Sequence, residues 1–294
     1  MNWDDIRLFL AVSRAGLLKD AAARLGVDEA TLSRRIRRLE RDMDARLFER
    51  TRRGHQLTKQ GEELLAHAEI MEQAGLAAAE TVAGQQGAVV GTVRLSVAEG
   101  FGSRFVAPSI NKLMKAYPGL ELDLVAGTGV LSPSKREADI AVGLSRPRGG
   151  QIFVRKLTDY RLRLYGASSF FARHHLVKVR DDLDGLPLIG YVDDLIFAPE
   201  LRYTDDALPG QRPQLRSTSI NAQYEMVRTG NGLAILPDFM VKPGDGLLPV
   251  LEDEIVVTRS FWLSVHQDIR TLPRVRAVID FLDGLVKGGA VNQT

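Results

Sequence analysis

Apolar residues recur with the period of a helix from the first positions of the chain. Ile6, Leu8, Phe9, Leu10 and Val12 behind Asp4 and Asp5 predict a helix over residues 4–14, ending near Gly16. The two acids stand where negative charge suits a helix N-terminus. A second short helix is predicted over 20–25, where Ala21, Ala22 and Ala23 permit close packing and Gly26 is the stop. Asp28 occupies an N-cap position ahead of a third helix over 29–42, whose Leu32, Ile36, Leu39 and Met43 are spaced 4, 3, 4 and form one apolar stripe. Ala30, Arg34, Arg37 and Arg41 fall on the opposite face, with Ser33 and Arg38 on its flanks.

Beyond Leu47-Phe48 the pattern changes to two short extended pieces either side of Arg52-Arg53-Gly54, which predict a basic hairpin wing. Thr58 can cap a long helix reaching about Ala83. Along it Leu64, Ala68, Met71, Gly75, Ala78 and Val82 are spaced 4, 3, 4, 3, 4. That spacing fits the seam of a helix pair between two chains, or equally an amphipathic helix laid on its own domain. Gly84-Gln85-Gln86-Gly87 and Gly91 mark a linker, after which strands and helices alternate. Val93, Leu95 and Val97, then Leu122 and Leu124, then Ala138–Gly143, then Leu162–Tyr165 predict an α/β unit with a mainly parallel sheet.

Composition narrows the classes. The chain has 294 residues, 45% hydrophobic and 26% charged, which fits two or three globular units and excludes a disordered or fibrous protein. With no cysteine there is no disulfide framework and no thiolate chemistry, and a reducing cytoplasm is the expected compartment. Neither an apolar signal segment behind a basic start nor a membrane-length apolar run is found, so the expectation is a soluble protein with no membrane partner. The overall charge of +2 is unevenly spread: residues 1–60 hold 14 Lys and Arg against 9 Asp and Glu, leaving 25 against 28 in the rest. A basic head on a slightly acidic body is what separate nucleic-acid and non-nucleic-acid modules produce.

The tight turn at Gly26, the arginine-rich third helix and the basic wing together describe a winged helix-turn-helix able to lay its third helix in a DNA major groove. Residues at the start of such a helix reach base edges, which nominates Glu29, Ala30, Ser33 and Arg34 as readers. Arg38, Arg41, Arg52 and Arg53 lie where they would meet phosphates of double-stranded DNA and position the module without reading sequence.

These segments resemble the LysR type of transcriptional regulator. The resemblance rests on Ala21–Val27, Leu32–Glu40, Leu47–Arg50 and Leu57–Gly61, and continues in Tyr117–Leu122, Ala138–Ala141, Gly230–Pro237 and Leu272–Val275, so it covers essentially the whole chain. It implies a multi-domain α/β protein: a DNA-binding domain over 1–58, a linker and dimerisation helix over 59–88, and an effector-binding domain over 89–294. That last domain would resemble a periplasmic binding protein, with lobe one at about 91–160 plus 267–294 and lobe two at about 161–266. It also implies a homodimer or homotetramer, RNA polymerase as a partner and a small-molecule effector. Two departures stand out: Asp28-Glu29-Ala30 replaces the family's usual Ser-Gln-Pro, and Leu17-Leu18-Lys19 replaces Ser-Phe-Thr or similar, so operator preference does not transfer.

Ligands of α/β sheets sit outside the carboxyl ends of the strands. That rule nominates Glu99, Phe101 and Ser103 after one strand, Thr128 after another, Ser217, Thr218 and Asn221 before a helix, and Tyr191 on the opposite wall. The alternative for each Ser or Thr is a plain helix cap. Glu99 argues against an anionic effector. An enzyme is the rival class and fails on motifs: Ser132-Pro133-Ser134-Lys135 and Ser109-Ile110-Asn111-Lys112 both match S-x-x-K but lack its partner motifs, and no phosphate loop or nucleophile elbow occurs. The five histidines lack metal-ligand spacing, and no cofactor is expected. A solute-binding protein, the second rival, would need export and would not need the basic head.

Overall fold

Three short helices pack by burying the apolar stripes that the sequence lays out. In the computed structural model, which describes residues 2–51, 54–82, 89–135 and 137–288, they are α1 (Trp3–Ala15), α2 (Leu18–Leu25) and α3 (Glu29–Asp42). Each start is explained locally where a cap is present: the Asn2 side chain accepts from the Asp4 amide at 3.0 Å, and Asp28 accepts from the Thr31 amide at 2.7 Å. Gly26 ends α2 at φ +66°, a left-handed conformation that a Cβ would disfavour, and so sets the turn into α3. Phe9, Leu32 and Leu39 are fully buried at the centre of this core, each worth roughly 1.5–3 kcal/mol. Met43, placed on the stripe by its spacing, is 37% exposed, because α3 stops at Asp42 and Asp44 turns the chain through a positive φ of 48°.

The wing is an antiparallel hairpin of β1 (Phe48–Thr51) and β2 (Gly54–Leu57). It is tied to the helices at both ends. Glu40 accepts from the Leu47 and Phe48 amides at 2.9 and 3.2 Å, and the His55 amide donates to the Gly16 carbonyl at 2.8 Å. A Cβ on Gly54 would collide with that same carbonyl oxygen, so only glycine allows the approach. Thr58 accepts from the Gly61 amide at 3.0 Å and starts α4 (Lys59–Val82). The first half of α4 belongs to this core: Leu64 and Ala68 are buried in it, Met71 packs against it, and Arg14 grips Glu72 with two nitrogens at 2.6 and 3.1 Å.

The chain divides into two units, Met1–Gly87 and Ala88–Thr294. The second is built on β3 (Val90–Ala98), which runs into the single turn α5 (Glu99–Phe101) and on through a wider helical turn and α6 (Ile110–Ala116) to β4 (Gly119–Gly127). There follow β5 (Ile140–Gly143), β6 (Ile152–Ala167), α7 (Ser168–Phe171), β7 (Leu188–Gly190), α8 (Tyr203–Ala207) and β8 (Leu215–Arg216). The chain closes with α9 (Ile220–Arg228), β9 (Leu233–Pro237), β10 (Leu247–Val250), β11 (Val256–His266) and α10 (Pro273–Lys287).

The sheet is ordered β4-β3-β5-β11-β6-β9-β7-β8, with β10 also on β6. It is mixed, which corrects the expectation of a mainly parallel one. β3 is parallel to β4 and β5, and β7 to β8 and β9, but β6 and β11 run antiparallel to all their partners and to each other over eleven residue pairs. These two long strands carry the chain from one half of the sheet to the other and back. β11 adds β5 as a partner only from Trp262 onward, next to a register shift at Phe261/Trp262.

Candidate functional site

The polar face of α3 is presented as its period requires. Leu32, Ile36 and Leu39 are buried, while Glu29, Ala30, Arg34, Arg37 and Arg41 are exposed and Ser33 is half-buried. Arg35 and Arg38 do a different job. Asp5 is completely buried and receives Arg35 Nε at 2.7 Å and Arg38 Nε at 3.0 Å and Nη2 at 2.5 Å, while Arg35 also reaches Asp4. The Arg35 guanidinium, and then Arg7, hold the Asp4 carboxyl below its ordinary range. The pairs clamp α1 to α3 and fix the angle at which α3 is offered. Arg38 therefore serves a carboxylate from one side and keeps 45% of its side chain exposed on the other. Arg52 and Arg53 lie outside the described residues.

Of the seam on α4, Leu64 and Ala68 are 8% and 0% exposed inside their own domain, and Met71 is packed on the same core. These three residues thus pack within their own unit. Gly75 and Ala78 are exposed, and the Val82 side chain lies outside the described residues.

In the second unit the carboxyl ends of β3, β4 and β7 and the start of α9 surround a cavity of about 40 Å³. Five of the eight nominated residues line it: Glu99, Phe101, Thr128, Tyr191 and Thr218. Ser103, Ser217 and Asn221 stand behind these residues. Asn221 Nδ2 donates to Glu99 Oε1 at 3.1 Å and to Ser103 Oγ at 3.0 Å, Ser103 Oγ donates to the Glu99 carbonyl at 2.7 Å, and Ser217 Oγ accepts from the Ser219 amide at 3.1 Å. Their polar groups are spent on holding Glu99 and shaping the turn. Ser219, not singled out by sequence, caps α9 through the Ala222 amide and donates to Glu99 Oε1 at 2.7 Å; the Ile220 amide donates to Oε2 at 3.0 Å.

The remaining wall is aromatic and, apart from Phe101, comes from positions that sequence left unremarked. Tyr160 stacks on Phe261 with centroids 4.3 Å apart, Phe101 meets Phe261 at 4.5 Å, and Phe239 and Tyr203 complete the enclosure. Burial pushes the Tyr160, Tyr191 and Tyr203 hydroxyls above the usual tyrosine range, so all three stay protonated. Among the described residues no helix is long and apolar enough to cross a membrane, and no cluster of acids and histidines could hold a metal ion.

A helix-turn-helix with an arginine-bearing third helix and a wing, followed by a mixed α/β unit with a cavity at its strand ends, defines a DNA-binding regulator with a sensing domain. The chain belongs to the LysR family of such regulators: residues 3–62 match the family described as bacterial regulatory helix-turn-helix protein, lysR family, and residues 86–286 match the LysR substrate binding domain. It is 30% identical to the Mau operon transcriptional activator of Paracoccus denitrificans, over 96% of this chain and 95% of that one. It is 31% identical to the HTH-type transcriptional regulator DmlR of Escherichia coli, over 95% and 92%. The fold is that of full-length CrgA from Neisseria meningitidis, with a TM-score of 0.61 at 24% identity over 97% and 98% of the two chains. A full-length OxyR variant from Pseudomonas aeruginosa superimposes with a TM-score of 0.71 at 17% identity over 98% and 95%. The protein is thus a transcription regulator with a periplasmic-binding-protein-like effector domain, and not an enzyme.

Proposed function

We propose that α3 reads operator DNA through Glu29, Ala30, Ser33 and Arg34, while Arg38 and Arg41, with Arg52 and Arg53 of the wing, hold phosphates. The observation that carries this is the outward set of Glu29, Ala30 and Arg34 at the capped start of α3, on a helix whose other face is wholly buried. A small molecule in the cavity bounded by Glu99, Thr128, Tyr191 and Thr218 shifts the protein between states of different DNA affinity, since only differential binding moves an equilibrium.

Two chains act together in the cytoplasm on a two-fold site, joined in part by the exposed Gly75 and Ala78 face of α4, and RNA polymerase is the downstream partner. The domain limits 1–58, 59–88 and 89–294, with two lobes in the last, belong to the same reading. Mapping of the DNA bound in native cells, followed by anisotropy on a recovered site and on random duplex, tests it. Specific sites should bind about a thousandfold or more tighter than random DNA. Equal affinity for the two would remove the reading.

A further inference from the structure

The start of α9 is a nine-residue helix's positive end, where a ligand anion would ordinarily be held. In this chain Glu99 occupies that place. Its carboxylate takes Ser219 Oγ at 2.7 Å, the Ile220 amide at 3.0 Å and Asn221 Nδ2 at 3.1 Å, and it lines the cavity. These are three of the roughly four acceptor positions a carboxylate offers, which leaves one on Oε2. Of the basic side chains in this neighbourhood, Arg104 is committed to Asn221 Oδ1, to Glu225 and to the ring of Tyr224, and Arg259 to the Glu200 carbonyl and to Asp206. Glu99 has no ion pair among the described residues. The helix offsets about half of its charge, so the cavity keeps a negative potential.

A second, independent feature of the same space is its aromatic wall. Tyr203 is 3% exposed and lines the cavity beside Tyr191. The rest of the wall is Phe101, Tyr160, Phe239 and Phe261, whose ring quadrupoles favour a cation. Size is the last constraint: one water needs ~10–15 Å³ on this measure, so the cavity of about 40 Å³ holds a molecule of only a few non-hydrogen atoms.

We propose that the effector cavity takes a small organic cation, a protonated alkylamine, held by Glu99 Oε2 and bounded by the aromatic wall. The carboxylate of Glu99 excludes carboxylate ligands by standing where theirs would sit. This rests on the cavity being the effector site, as proposed above, and names the ligand's class.

Three probes of similar size and different charge separate the possibilities: ethylammonium, ethanol and acetate, added to the full-length protein at equal ionic strength in calorimetric titration and thermal unfolding. Ethylammonium should bind and raise the melting temperature, and ethanol and acetate should bind at least about tenfold more weakly. Glu99→Gln should lose about tenfold or more in ethylammonium affinity. Glu99→Asp, which keeps the charge, should lose less and keep the order of the probes, which reads the same interaction if Glu99→Gln fails to fold. Ethanol binding as well as ethylammonium, or acetate binding better, overturns the cation while leaving the cavity as the effector site. No response to any probe also overturns it, and whether DNA binding then responds to other metabolites decides the effector reading separately.

Discussion

Arg34 and Arg41 leave α3 on the same exposed face but at opposite ends, and their positions assign them different work. Arg34 is about one and a half turns from the capped start, where a guanidinium can bond a guanine edge with two nitrogens. Arg34→Ala should cost about 1–3 kcal/mol on the specific site and far less on random duplex, measured by anisotropy. Equal losses on both would make it a phosphate contact. The outward face was legible because 3.6-residue spacing fixes it without knowledge of any neighbour. Asp5 was not. At the start of a helix an acid satisfies a local rule, and nothing in the spacing indicates that Arg35 and Arg38, thirty residues on, converge on it. Asp5→Asn keeps the shape and removes the charge, so it should destabilise the N-terminal unit by about 2 kcal/mol in denaturant unfolding. Specific DNA affinity should fall with it, because the angle of α3 is no longer pinned. Unchanged unfolding would mean that the two arginines find solvent as readily as they find Asp5.

At the scale of elements, α4 shows why one apolar period supports two readings. A seam facing another chain and a stripe facing the home domain have the same spacing, and only tertiary contact separates them. Here α1 covers Leu64 and Ala68, and the exposed small residues Gly75 and Ala78 lie beyond its reach. The two halves should therefore answer differently to substitution. Leu64→Ala should cost roughly 2–4 kcal/mol of stability with the state of assembly unchanged in sedimentation. Gly75→Arg with Ala78→Arg should leave the unfolding of the N-terminal unit nearly unchanged and weaken association. A fully assembled double variant would move the contact between chains elsewhere. The sheet shows the same limit. Alternation of strands and helices made an α/β unit legible, but the strand directions were not, because the 162–165 segment reads as an ordinary strand until β6 pairs antiparallel with β11. That pairing brings Tyr160 beside Phe261 across a hundred residues, so the aromatic wall of the cavity could not be assembled from sequence, whereas the loops after β3 and β4 could.

For the whole molecule the test is how many chains hold the DNA at once. Each phosphate neutralised releases counterion, so the logarithm of the binding constant falls with the logarithm of salt by about 0.9 per contact. Arg38, Arg41, Arg52 and Arg53 assign four contacts to a chain, which gives a slope of roughly −3.6 for one chain and −7 for two. The acidic residues of the same unit temper the potential but do not release counterions from DNA, so the slope counts the cations that engage phosphate rather than the net charge. Arg38 is the member whose contribution is in competition: its Nε and Nη2 already face Asp5, and a contact to DNA must use the exposed side of the same guanidinium. Arg41 has no such claim visible on it in the hydrogen bonds of the described residues, and it is exposed. Arg41→Ala should accordingly reduce the slope by about 1.8 in a two-chain complex, and by half that if a single chain binds. It should weaken specific and random duplex by the same factor, unlike Arg34→Ala. A wild-type slope near −7 that Arg41→Ala leaves unchanged would keep the two-chain complex and remove Arg41 from the phosphate contacts, whereas a slope near zero would remove all four arginines from them.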